Sequence, residues 1–135
     1  MRIFLLLLII AASFLVLTCN KDEHSERFKL LTTPIWTSDS LLANDVEASG
    51  PGELLEKFKG DAKFNKDGTG YFGKYTGSWM FAGKETDIVI FSDSLPLPSL
   101  ITNIEELTDI SLKITTGFPI SSTENYRIRM TFKAK

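Results

Sequence analysis

The chain is poor in the residues that run most enzyme chemistry. Its 135 residues include one cysteine, Cys19, and one histidine, His24. A lone cysteine excludes an internal disulfide and a cysteine-rich zinc site. His24 lies in a polar stretch, so neither Ser92-Asp93-Ser94 nor Ser121-Ser122 has a histidine base at hand within its own domain. Clustered cation is missing too. Beyond residue 18 the chain carries 14 cationic and 17 anionic side chains. That near balance gives no electrostatic reason to expect nucleic acid as a partner. Asp39, Asp45 and Glu47 lack the alternating ligands, central glycine and terminal glutamate of a calcium loop. Glu105 and Glu106 are adjacent, and adjacent strand residues point to opposite faces, so they fit a solvated turn better than a catalytic carboxylate pair. These absences set the expectation of a protein that is not an enzyme and needs no metal or cofactor.

Long apolar runs are absent with one exception. After Met1-Arg2, Ile3 through Leu17 is apolar apart from Ser13, a run of 15 residues. This is short for a membrane span of about 20 residues and fits the core of a signal peptide. An uncleaved anchor helix is the alternative. The run ends in Leu15-Val16-Leu17-Thr18-Cys19, an aliphatic stretch meeting a cysteine, and resembles the lipobox of bacterial lipoproteins. The resemblance implies that residues 1–18 are a signal peptide and that Cys19 is lipidated and becomes the first mature residue. The family usually places Gly, Ala or Ser before the cysteine, where this chain has Thr18. Each buried methylene of such a lipid contributes roughly 0.8 kcal/mol of membrane affinity, and two or three chains anchor firmly where one does not. The competing role for Cys19 is a buried free thiol. Residues 20–27 contain no apolar side chain, so 19–27 reads as the lipidated cysteine and a polar tether. Lys21-Asp22-Glu23 resembles a short surface-export tag of Bacteroidetes lipoproteins, and a plain spacer is an equal reading. The expected location is the outer membrane, on its periplasmic or its surface side.

From residue 28 to 135 strand signals dominate one domain. Tyr126, Ile128, Met130 and Phe132 alternate with Arg127, Arg129, Thr131 and Lys133, and Ile110, Leu112 and Ile114 alternate with Ser111, Lys113 and Thr115. Ile88 to Phe91 is a short continuous apolar run. Asn65-Lys66-Asp67-Gly68 suits a type I turn followed by a left-handed glycine. Two short stretches have helical character: Ser25 to Leu31, capped by Ser25, and Gly52 to Lys59. Strands are expected at 33–43, 57–65, 69–75, 77–82, 87–92, 100–105, 110–116 and 124–133. Short strands at such spacing imply an all-β antiparallel meander closing as a small barrel or sandwich.

Leu30-Leu31-Thr32-Thr33-Pro34-Ile35-Trp36, then Phe64 to Gly70 with Gly77-Ser78-Trp79-Met80-Phe81, then Ile104 to Leu112, are similar in order and spacing to lipocalin-like lipoproteins of Bacteroidetes. The resemblance implies an eight-stranded up-and-down barrel behind the signal helix, with a mouth at one end. It also implies that Trp36 sits at the closed floor and that Arg127 or Arg129 packs over it. By their own alternation these two arginines read as outward and solvated. Pro34 replaces the family's glycine, so the first strand should begin at or after it.

Phe64, Phe72, Trp79, Phe81 and Phe91 are the candidate pocket lining, and the competing reading is that they fill the barrel as core. Leu95-Pro96-Leu97-Pro98 reads as a rigid connector. Two functions follow from these expectations. In the first, a lipid-anchored exported protein binds a small apolar or amphipathic ligand in a cavity open at one end. In the second, the barrel is filled and the protein touches an envelope protein partner through an exposed apolar patch around Leu95 to Leu100. An interior void no larger than a few waters would argue against the first.

Overall fold

Alternation of apolar and polar side chains organises the molecule. A computed structural model describes residues 24–135; the expected signal peptide, Cys19 and the start of the expected tether lie outside the described residues. Helix α1 (Glu26–Thr32) comes first, with the Ser25 side chain accepting from the Phe28 N–H. Nine strands follow: β1 (Trp36–Ala43), β2 (Val46–Glu47), β3 (Asp61–Phe64), β4 (Thr69–Phe72), β5 (Tyr75–Ala82), β6 (Asp87–Phe91), β7 (Leu100–Leu107), β8 (Ser111–Pro119) and β9 (Asn125–Ala134). Each strand from β3 to β8 pairs antiparallel with the next, and β1 pairs with both β3 and β9. The result is a closed eight-strand antiparallel barrel, with the two-residue β2 added to the end of β1. Among the described residues no helix is long and apolar enough to cross a membrane.

The turns follow from their residues. Asn44 and Asp45, both at positive φ, join β1 to β2 in the two-residue manner of a type I′ hairpin. Gly68 has φ 89° and donates its N–H to the Asn65 carbonyl, which closes the expected Asn-Lys-Asp-Gly turn. The β4–β5 turn falls at Gly73-Lys74, earlier than the sequence implied. Gly73 has φ 61°, and a Cβ there would overlap the Lys57 carbonyl. The second expected strand is shorter than read. Residues 57–58 belong to a 3₁₀ turn (Glu56–Phe58), and Gly60, at φ 115°, turns the chain into β3.

Two bulges reset the inward phase. Trp36 and Leu41 are five residues apart, an odd spacing that places ideal strand residues on opposite faces. Both are buried, because the β1–β9 register shifts between Ser38 and Ser40. A second shift, between Ile104 and Glu106, extends β7 past the residues expected to form a turn. On β8 and β9, Leu112, Ile114, Ile128, Met130 and Phe132 are buried as their alternation implies, whereas Ile110 lies before β8 in the turn and is exposed.

The two ends are closed differently. The loops after β3, β5 and β7 and the start of β1 share one end, which α1 covers with Leu31 fully buried. Ser25 Oγ donates to Glu85 Oε2 at 2.6 Å and Arg27 Nε to the Glu85 carbonyl at 2.9 Å. Lys63 Nζ closes the helix C-terminus by donating to the carbonyls of Thr32, Thr33 and Pro34, and burial pushes its pKa down. The other end is covered by residues 48–58, with Leu55 and Phe58 buried, and by the loop between β6 and β7.

Candidate functional site

The barrel interior is filled. Phe64 stacks obliquely on Phe72 at 5.1 Å and meets Trp79 edge-on at 5.5 Å. Trp79 meets Phe81 edge-on at 5.3 Å and lies 5.7 Å from Phe28 of α1. The Trp79 indole N–H donates to the Asn65 carbonyl at 2.9 Å. Such offset and edge-to-face pairs are the favoured aromatic contacts. Phe64, Phe72 and Trp79 are therefore core at the helix-capped half, with Phe81 packed at its margin. Phe91 is different. Ile88 and Ile90 take the inward positions of β6, so Phe91 points outward and is 38% exposed. It cannot line an interior pocket.

Trp36 is fully buried, and its indole N–H donates to the Leu31 carbonyl at 3.0 Å, joining the first strand to the helix that covers the floor. The arginine half of the floor assignment is corrected. Trp36 pairs with Ala134, at the end of β9, while Arg129 pairs with Leu42. Six residue steps along β1 separate the two positions, about 20 Å at strand rise. With Ile128 and Met130 inward, Arg127 and Arg129 lie on the outer face, as their own alternation indicates. Arg127 is ion-paired with Asp45.

An apolar cavity of about 40 Å³ lies inside the barrel below the mouth. It is lined by Leu55, Phe58, Leu95, Leu97, Ile128 and Met130 among others. A water needs roughly 10–15 Å³ by such a measure, so a few would fit, whereas ligand pockets run to about 300–1,000 Å³. None of the aromatic residues singled out in the sequence borders it. Tyr75 does, and burial pushes its phenol pKa up. Leu54-Leu55, in the stretch read as helical, and Leu95 and Leu97, in the segment read as a rigid connector, were the apolar signal for this rim.

A larger feature lies outside. The outer faces of β6 to β9 form an open concavity of about 580 Å³. Gly117 lies within it, where an added Cβ would meet open space. Ile101 is 60% exposed there, with Asp87, Glu105, Arg127 and Arg129 around it. The Arg129 Nε is buried without a hydrogen-bond partner. Met80, opposite Val89, which is in turn opposite Ile101, continues an apolar row across β5, β6 and β7, and Met80 is 53% exposed. Met80 and Ile101, joined through the buried Val89 and with Phe91 beside them, make an apolar patch on the outer face; Leu95, Leu97 and Leu100, where one was expected, are partly or wholly buried.

The acidic residues that resembled a metal or catalytic set are dispersed. Asp39 pairs with Lys133, Asp45 with Arg127, and Glu47 accepts from Ser49. Glu106 accepts from Ser111 Oγ, which, with Lys113 nearby, holds its carboxyl below the usual range. Among the described residues no group of three His, Asp or Glu side chains is placed to hold a metal ion. No protein-family model and no curated protein sequence matches the chain.

Proposed function

We propose that this protein is an exported, lipid-anchored lipoprotein of the lipocalin-like kind, and that it works as an interaction module through the outer face of a barrel whose interior is its own core. The apolar run before Cys19 and the polar stretch after it support the anchor. The barrel is compatible with a lipocalin-like domain. The observation that carries the choice of surface is that the cavity below the mouth holds only about 40 Å³, too little for a ligand, while the outer faces of β6 to β9 form an open concavity. An apolar centre with a charged rim is the usual anatomy of a protein–protein contact. The partner expected is an envelope protein.

The test is in-cell photo-cross-linking of the full chain, with the reactive residue at Asn103 inside the concavity and, separately, at Lys66 in the β3–β4 turn. A discrete protein adduct at 103, lost in the Ile101→Asp background, is the expected result. No adduct at 103, or an equal one at 66, would reject the outer face. A second reading keeps one observation in its favour: the mouth cavity is almost wholly apolar. The Leu95–Pro98 loop and the Leu54–Phe58 segment line it, and at about 40 Å³ it would have to widen to hold an apolar ligand.

A further inference from the structure

The barrel is oriented by the point at which the chain enters it. His24 stacks on Phe28 with ring centroids 4.1 Å apart, and Ser25 and Arg27 are fastened to Glu85 in the β5–β6 loop. The chain therefore comes in at the helix-capped end, opposite the mouth. Five residues, Asn20 to His24, stand between Cys19 and the Ser25 cap. Fully extended, six residue steps reach about 20 Å. A lipid on Cys19 thus holds the helix-capped end within a short tether of the bilayer.

That end exposes aliphatic side chains that the core does not use. Ile110, in the β7–β8 loop, is 68% exposed, and Ile35, just before β1, is 40% exposed. The two flank the end of β9: the Ala134 N–H donates to the Ile110 carbonyl and the Lys135 N–H to the Ile35 carbonyl, at 2.9 and 2.8 Å. Leu30 and Pro34 line a shallow depression with Asp109, the residue before Ile110. The mouth also exposes apolar groups, Val46 and Ile120 among them. Exposure alone does not choose an end; the short distance from Cys19 does.

We infer that the helix-capped end rests on the membrane surface, with Ile110 and Ile35 at the lipid interface and the mouth and its loops turned away. This rests on the lipidation of Cys19 proposed above. An acylated Cys19 has no free thiol, so a cysteine introduced as Ile110→Cys, Ile35→Cys or Thr123→Cys is the only one open to a bimane label. Thr123 lies in the β8–β9 loop at the mouth. Mature protein made by its own export route would be placed in phosphatidylethanolamine–phosphatidylglycerol vesicles containing doxyl-labelled phosphatidylcholine. The expected result is quenching at 110 and 35 several-fold greater than at 123; two labelled sites at the membrane end guard against one variant failing to fold. Equal quenching at the two ends, or greater quenching at 123, overturns the orientation. Intact mass and vesicle flotation separate the causes. A protein that carries acyl chains and floats but quenches equally leaves the anchor standing and removes the orientation alone. An unmodified Cys19 removes both.

Discussion

At the residue scale, Trp36 joins the sequence to the fold most directly. Its ring is fully buried at the helix-capped end and its N–H reaches the last turn of α1. Removing it should create a cavity and leave the buried Leu31 carbonyl without its partner. Trp36→Ala is expected to cost about 3–5 kcal/mol, measured by urea unfolding. Trp36→Phe should keep most of the packing and leave the buried carbonyl unsatisfied, at a cost of about 1–3 kcal/mol. Unchanged unfolding of the alanine variant would remove Trp36 from the floor. The inward direction of this residue was legible; its partner was not. The partner is a helix-end carbonyl, and backbone groups leave no mark in a residue pattern. The arginines illustrate the opposite case. Alternation on β9 already turned Arg127 and Arg129 outward, and only the family likeness drew one of them to Trp36.

Legibility at the scale of elements depends on local chemistry. The helix cap at Ser25, the Asn65–Gly68 turn and the inward faces of β8 and β9 were readable, because neighbouring residues fix them. The bulges near Asp39 and Glu105 were not, because a phase shift arises from pairing with a distant strand. The same holds for the seam that closes the barrel. β3 meets β1 at only two positions, Trp36 and Thr37, and Asp61 reinforces the junction. Its carboxylate accepts from Lys135 Nζ at 2.8 Å and Thr37 Oγ1 at 2.9 Å. The Lys135 hydrogen bond and then that of Thr37 hold the Asp61 pKa below its ordinary 3.8. Asp61 in turn holds the Lys135 ammonium above its ordinary 10.5. For a carboxylate with a depressed folded pKa, the stabilisation is fully present above the unfolded value and is lost as pH falls through the folded one. For a lysine with a raised folded pKa, it is present below the unfolded value and is lost as pH rises through the folded one. The seam should therefore weaken below about pH 4 and again above about pH 10. Asp61→Asn should flatten both limbs of a plot of Tm against pH. Being solvent-exposed, the pair should also lose its effect in high salt. A wild-type profile unchanged by the substitution would show that Asp61 does not guard the seam.

For the whole molecule, antiparallel strands that each pair with the next carry the closed barrel, and the meander was legible from turn spacing alone. How full that barrel is was not legible. Aromatic residues on inward faces pack a core and line a pocket with equal ease, and only their mutual distances separate the two. Phe64 contacts both Phe72 and Trp79, and all three are buried, which makes them core. The outer concavity was hidden for a related reason: it draws Asp87, Ile101, Glu105, Gly117 and Arg129 from four strands, far apart in the chain. The central claim is that a lipid anchor holds a barrel filled by its own side chains. Native mass spectrometry of protein extracted gently from its own membranes tests it most directly. The account predicts a chain whose first residue is an acylated Cys19, with no small molecule bound. A stoichiometric small-molecule adduct, or a Cys19 free of lipid, would contradict it.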